Sequence, residues 1–201
     1  KKALHDFTVF AGKEPLPPRY AFGYWWSRYW CYSDNELRQL VSKMHSYSIP
    51  MDVRVVGMDW HYTEEGRGGW TGYTWNKRLF PSPAGFMKCA KQQQLQTTVN
   101  LHPADGIKYY EDCYADMARW MGMDPAEKKN IAWNASSKRF MQGWYDKVLR
   151  PMERDGIDFW WLDWQQWDND KEFPRLSNVW WINYTTFTDM ERHHDTRPML
   201  Y

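Results

Sequence analysis

The 201 residues carry 26 Lys plus Arg against 25 Asp plus Glu, a formal net charge of +1. There is no basic block of the kind that tracks a nucleic-acid backbone, and no apolar run approaches the roughly 18 residues of a membrane helix. Three cysteines, at 31, 89 and 113, are too scattered for a disulfide framework, and no His, Asp or Glu cluster has metal-ligand spacing, so neither a metal nor another cofactor is expected. The excess lies in the aromatics: 15 Trp, 13 Tyr and 9 Phe. Many stand beside polar or charged residues, a composition suited to a flat-faced polar ligand such as a sugar.

Residues 1–14 read as the tail of a preceding segment, and their opening lacks the pattern of a signal peptide. Pro15, Pro17 and Pro18 make a stiff, extended lead-in. A first strand is expected over 20–26, aromatic and nearly uncharged. Ser33, with Glu36 three residues later, is a capping box that opens a helix, and Leu37, Leu40, Val41 and Met44 follow at helical spacing. A second strand, 51–58, ends in Asp59-Trp60-His61. The loop that follows, about 62–82, is rich in Gly and aromatics, among them Gly66, Gly68, Gly69, Trp70, Gly72, Tyr73 and Trp75. A loop of that length inside a compact domain is usually functional or disordered, and its aromatics favour function.

Ser82-Pro83 opens the next helix, and a third strand, 95–101, runs into His102-Pro103-Ala104-Asp105-Gly106. Helical patterns cover about 108–121 and 138–154. A short apolar run from Ile157 then ends in Asp163, ringed by Trp161, Trp164, Gln165 and Gln166. An unpaired buried carboxylate costs several kcal/mol, so Asp163 is expected at the strand's mouth, held by hydrogen bonds from its neighbours. A helix over about 178–192 follows, and Pro198 to Tyr201 reads as a fifth strand beginning. Two sequons, at Asn134 and Asn183, permit a secretory, extracellular or lysosomal history.

The strand–helix unit thus recurs four times, which argues for an α/β fold with a parallel sheet. A doubly wound sheet would usually carry a Gly-rich phosphate loop after its first strand, and Ser27-Arg28-Tyr29-Trp30 is none. A (β/α)8 TIM barrel instead gathers site residues at the C-terminal ends of several strands. That matches Arg28 and Trp30, Asp59 and His61, Asn100 and His102, and Asp163 and Gln165. Residues 15–201 therefore read as the N-terminal half of such a barrel, strands one to four and the start of the fifth. A half barrel has unpaired edges, so the remainder is expected from a longer chain or a partner chain.

Five stretches together resemble glycoside hydrolase family 31, the retaining α-glucosidases, α-xylosidases and their relatives. They are Pro17-Pro18-Arg19-Tyr20-Ala21-Phe22-Gly23-Tyr24-Trp25-Trp26-Ser27-Arg28-Tyr29-Trp30, Met58-Asp59-Trp60-His61, Trp70-Thr71-Gly72-Tyr73-Thr74-Trp75, Asn100-Leu101-His102-Pro103-Ala104-Asp105-Gly106, and Asp158-Phe159-Trp160-Trp161-Leu162-Asp163-Trp164-Gln165-Gln166. The resemblance runs from about Pro15 to Tyr201 in the family's order. It implies a (β/α)8 barrel, Asp163 as the catalytic nucleophile, and Trp161 and Trp164 lining the subsite of the reacting sugar. It also implies Trp30 as a further wall, Asp59 as the second acid of the strand-two motif, and Asn100 and His102 as pocket residues.

The implied substrate is an oligosaccharide or other α-linked glycoside. The implied chemistry uses two carboxyl groups about 5–5.5 Å apart, one to attack and one to protonate the leaving oxygen. The chain departs from the family pattern at Gly57, where the family usually has an acid, and the family's acid/base lies beyond the fifth strand. Without the resemblance, Asp59 reads equally well as a brace on the strand-one loop through Arg28, and His61 reads as structural. Two functions are carried forward: a retaining α-glycosidase, and a catalytically inactive relative that binds sugar or serves as a structural subunit.

Overall fold

A computed structural model describes residues 1–64, 69–163 and 168–201. Its frame is a four-stranded sheet of β1 (Trp25–Trp26), β2 (Val53–Val56), β3 (Gln96–Leu101) and β4 (Phe159–Leu162), hydrogen-bonded in chain order and parallel throughout. Parallel neighbours need crossover connections. These are α2 (Asp34–Ser46), α3 (Pro83–Gln92), and, between β3 and β4, α4 (Tyr114–Met121), α5 (Lys138–Gly143) and α6 (Arg150–Asp155). α7 (Asn178–His193) follows β4, and α1 (Lys2–Ala11) precedes the sheet. The fifth strand has begun: Leu200 bridges Trp160 in parallel, Tyr201 N donates to Trp160 O at 3.1 Å, and Leu162 N donates to Tyr201 O at 2.9 Å. The fold is the first part of an α/β TIM barrel.

Register fixes which side chains share a face. Val55 pairs with Thr98, and Thr98 pairs with Phe159; Asn100 pairs with Trp161. Alternation then puts Val53, Val55, Thr98, Asn100, Phe159 and Trp161 on one face and Arg54, Thr97, Val99 and Trp160 on the other. The second set meets the helices. Arg54 lies 3.5 Å over the ring of Phe86 on α3, and Trp160 Nε1 donates to Glu153 on α6 at 2.8 Å. The first set faces the barrel interior, which aromatic rings fill: Phe159 against Tyr20 and Trp25 at 5.4 Å, and Tyr201 against Trp25 at 5.3 Å and Trp161 at 5.2 Å.

Several elements differ from the sequence expectation. Residues 20–26 do not form one strand. Arg19–Phe22 is a 3-10 turn, and only Trp25–Trp26 joins the ladder. The turn lets Tyr20 stack on Phe159 while its carbonyl accepts the Trp25 indole N–H at 3.1 Å, so interior packing overrides β-propensity here. The tail at 1–14 contains a helix, none of whose residues is buried. The helix expected from 108 starts at Tyr114, because Ile107 bridges Ile131 and the following turn is pinned by Glu111. The expected 138–154 helix contains a π-helical stretch, Trp144–Leu149. The extra residue of a π turn puts the adjacent pairs Trp144/Tyr145 and Val148/Leu149 into the core together.

The capping box forms as read. Ser33 Oγ accepts from Glu36 N at 3.3 Å and Glu36 returns an acceptor to Ser33 N at 2.8 Å, an arrangement worth about 1 kcal/mol. Arg54, fully buried, was not singled out by the sequence. Its Nη2 donates to Thr97 Oγ1 at 3.1 Å, and burial pushes its guanidinium pKa down. Among the described residues no helix is long and apolar enough to cross a membrane.

Candidate active site

The site is built where inward-facing positions reach the C-terminal ends of β2, β3 and β4. Asn100 is the last inward residue of β3, and His102 follows two residues on. Asp163 stands two residues beyond Trp161, just past β4. Parallel pairing brings the two strand ends side by side, with Asp163 N donating to Leu101 O at 3.0 Å. Asn100 Nδ2 then donates to Asp163 Oδ2 at 2.9 Å. His102 Nε2 lies 3.2 Å from the same oxygen, although the ring N–H is not aligned as a hydrogen bond. The His102 side chain is 2% exposed and that of Asp163 21%, so the histidine is a buried support and the carboxylate opens to solvent. Burial pushes the His102 pKa down against the opposing pull of Asp163, which favours the neutral ring.

Trp161 pairs with Asn100 in the ladder and is partly buried on the same face. Trp30 is half exposed, with the Arg28 guanidinium 4.4 Å over its ring. The strand-two end approaches this loop: a Cβ on Gly57 would meet the carbonyl oxygens of Arg28 and Trp30 at 3.7 and 4.0 Å. That is ordinary contact, so the glycine leaves open space where a side chain would stand. Continuing the β2–β3 register by one residue puts Gly57 opposite Asn100.

Asp59 sits in a 3-10 turn, Met58–Trp60, and accepts from Thr63 Oγ1 at 3.1 Å. Arg28 stacks on Trp30, and among the described residues no ion pair joins it to Asp59. The structure therefore joins Asn100, His102 and Asp163 by direct contact. Trp161 adjoins them through register, while Trp30 and Asp59 stand on the strand-one side. Trp164, Gln165 and Gln166 lie outside the described residues, as do Gly66 and Gly68. Among the described residues no group of three or more His, Cys, Asp or Glu could hold a metal ion.

Two residues next to these contacts went unassigned in the sequence. Trp60 is fully buried and its Nε1 donates to Asn100 O at 2.7 Å, tying the strand-two end to the strand that presents Asn100. Trp70, half exposed, packs edge-on to His102 with ring centroids 5.0 Å apart and an interplanar angle of 83°. Its position in a Gly- and aromatic-rich loop was the available signal.

His61 is structural, as expected. It is buried, its Nδ1 lies 2.9 Å from Tyr62 O, and a Cβ on Gly72 would come within 2.3 Å of that nitrogen. Burial pushes its pKa from 6.5 down to about 4. The unfolded chain therefore binds a proton at His61 below about pH 6.5 that the folded chain refuses until about pH 4. Stability is full above that window and falls as pH drops through it, by up to about 3 kcal/mol from this group. Urea midpoints at pH 7 and pH 4.5 should show the fall, and His61→Asn should flatten it. An equal fall in the variant would remove His61 as its source.

Residues 14–201 match the TIM-barrel domain of the glycosyl hydrolases family 31. An α-xylosidase from Saccharolobus solfataricus is 26% identical over 167 residues, covering 80% of this chain and 20% of that protein. Alpha-glucosidase 2 from Bacillus thermoamyloliquefaciens is 30% identical over 108 residues, 54% of this chain and 13% of that protein. In fold, the chain is similar to a solved family 31 α-xylosidase from Xanthomonas citri, with a TM-score of 0.72 at 15% identity over 98% of this chain and 24% of that one. The chain thus spans about a fifth of the curated α-xylosidase that it matches.

Proposed function

Since the chain belongs to glycoside hydrolase family 31, we propose that it supplies the nucleophile half of a retaining α-glycosidase site, with Asp163 as the nucleophile. The observation that carries this reading is the carboxylate itself. It stands at the C-terminal end of a barrel strand, open to solvent, with one oxygen fixed by Asn100. A carboxylate held this way is pre-aimed, so little orientational entropy is lost on attack.

In the proposed reaction an Asp163 oxygen bonds to the anomeric carbon of an α-linked sugar as the bond to the leaving oxygen breaks. A second carboxylic acid, from the remainder of the barrel, gives its proton to that oxygen. The resulting glycosyl ester is cleaved by a water that returns its proton to the second group, so the configuration is retained. Negative charge at Asp163 also stabilises the oxocarbenium-like transition state. Trp161 and Trp30 would wall the reacting sugar, and the resemblance gives Trp164, next to Asp163 in sequence, the same role. Asp59 and His102 would complete the pocket, and the 3.2 Å approach of His102 Nε2 to the Asp163 carboxylate supports a further task for the ring, backing the nucleophile.

A glucoside is the default substrate. The open space at Gly57, opposite Asn100, leaves room for an α-galactoside or α-N-acetylgalactosaminide as the alternative. The same missing acid favours the second reading, a relative that binds sugar without turning it over. Proton NMR of the first product separates the readings, using the protein that carries this chain with the rest of its barrel. The α-anomer appearing first supports retaining hydrolysis, and the β-anomer appearing first overturns it. Sugar binding with no turnover supports the second reading.

A further inference from the structure

From the placement of Trp70 we infer that its indole is the platform for the leaving-group side of the substrate, a specificity-determining contact outside the pocket of the reacting sugar. The inference rests on the glycosidase reading above. A sugar whose anomeric carbon reaches Asp163 must sit on the pocket floor, where Asn100 and His102 are buried. Trp70 packs on His102 yet is 47% exposed, so it lies between that floor and solvent. What projects past the floor toward it is the group bonded through the leaving oxygen.

The described residues that follow Trp70 are held firmly. Asp105 N donates to Thr71 Oγ1 at 3.2 Å, across to the strand-three end. Thr74 Oγ1 donates to the buried carboxylate of Glu111 at 2.5 Å and accepts from Asp112 N at 2.9 Å, while Tyr73 N donates to Glu111 at 3.2 Å. Gly72 presses against His61 with no room for a Cβ. An indole surface left half in water within this chain, next to so constrained a segment, gains little from burial there. Held in place beforehand, it can receive the C–H face of a sugar ring with little ordering cost.

The test compares two substrates with the same reacting sugar, an α-linked disaccharide and the α-glycosyl fluoride, in the protein that carries this chain with the rest of its barrel. Trp70→Ala should lower kcat/KM for the disaccharide about five- to tenfold, mostly through KM. For the fluoride, whose leaving group has no ring to stack, the change should stay within about twofold, which also shows that the variant is folded. Trp70→Phe should recover most of the loss. An equal loss on both substrates, or no loss on either, overturns the inference while leaving the glycosidase reading in place. If the unaltered protein hydrolyses neither substrate, the glycosidase reading fails and this inference fails with it.

Discussion

Asp163→Asn should lower kcat by on the order of 10⁴-fold or more, with the fold intact. The amide is nearly the same size as the carboxylate, and its oxygen can still accept from Asn100 Nδ2, the contact that holds Asp163 at 2.9 Å. Local packing is therefore kept. On the proposed mechanism, the change removes the negative charge that would face the developing oxocarbenium ion and the carboxylate oxygen that would form the glycosyl ester. On that scale the barrier rises by about 5.5 kcal/mol or more. A steady-state assay on an activated α-glycoside, with thermal melting as the fold control, measures both halves of the statement. Asp163→Gly gives a sharper version. Azide admitted to the vacated space should restore turnover and yield the β-glycosyl azide, since it enters from the face the carboxylate left. Wild-type rates in Asp163→Asn would remove the residue from the chemistry.

Trp60→Ala should destabilise the fold by about 3–5 kcal/mol. The side chain is fully buried, with its ring 5.0 Å from that of Trp75 and 5.1 Å from that of His61. Truncation leaves a cavity that these rings can only partly fill. It also strips the donor from Asn100 O, a bond of 2.7 Å, and an unsatisfied buried acceptor adds its own cost. Because Asn100 is the residue that fixes Asp163, activity should fall further than the loss of folded protein explains. Denaturant unfolding followed by fluorescence, paired with activity per folded molecule, checks both effects. A loss under about 1 kcal/mol would mean that the site is not braced through Trp60.

Much of this frame can be read from the chain alone, for stated physical reasons. The Ser33–Glu36 box is a local hydrogen-bond pattern, so sequence carries it completely. The strand ends at Asp59 and Asp163 stand out because a charged residue closing an apolar run has to leave the core or find partners, and Asn100 stands out as a buried amide that needs one. Residues 20–26 misled because aromatics that favour a strand also fill a barrel interior, and Tyr20 is used for the second purpose. The π-helical stretch left no pattern distinct from an ordinary helix.

The contacts that make the site were the least visible. Asn100 and Asp163 are separated by 63 residues, and only the β3–β4 register brings them together. Trp60 and Trp70 sat inside recognisable motifs. Their roles depend on what each ring touches, the Asn100 carbonyl in one case and His102 in the other, and pairwise contact across loops is not written in spacing.

The most direct test of the nucleophile assignment is to trap the intermediate. The protein that carries this chain with the rest of its barrel would be incubated with a fluorinated α-glycosyl donor that reacts quickly but whose ester hydrolyses slowly, then digested and sequenced by mass spectrometry. One glycosyl unit on Asp163, with activity lost in step with labelling, is the expected result. A label on any other carboxylate, under the same loss of activity, would contradict the assignment.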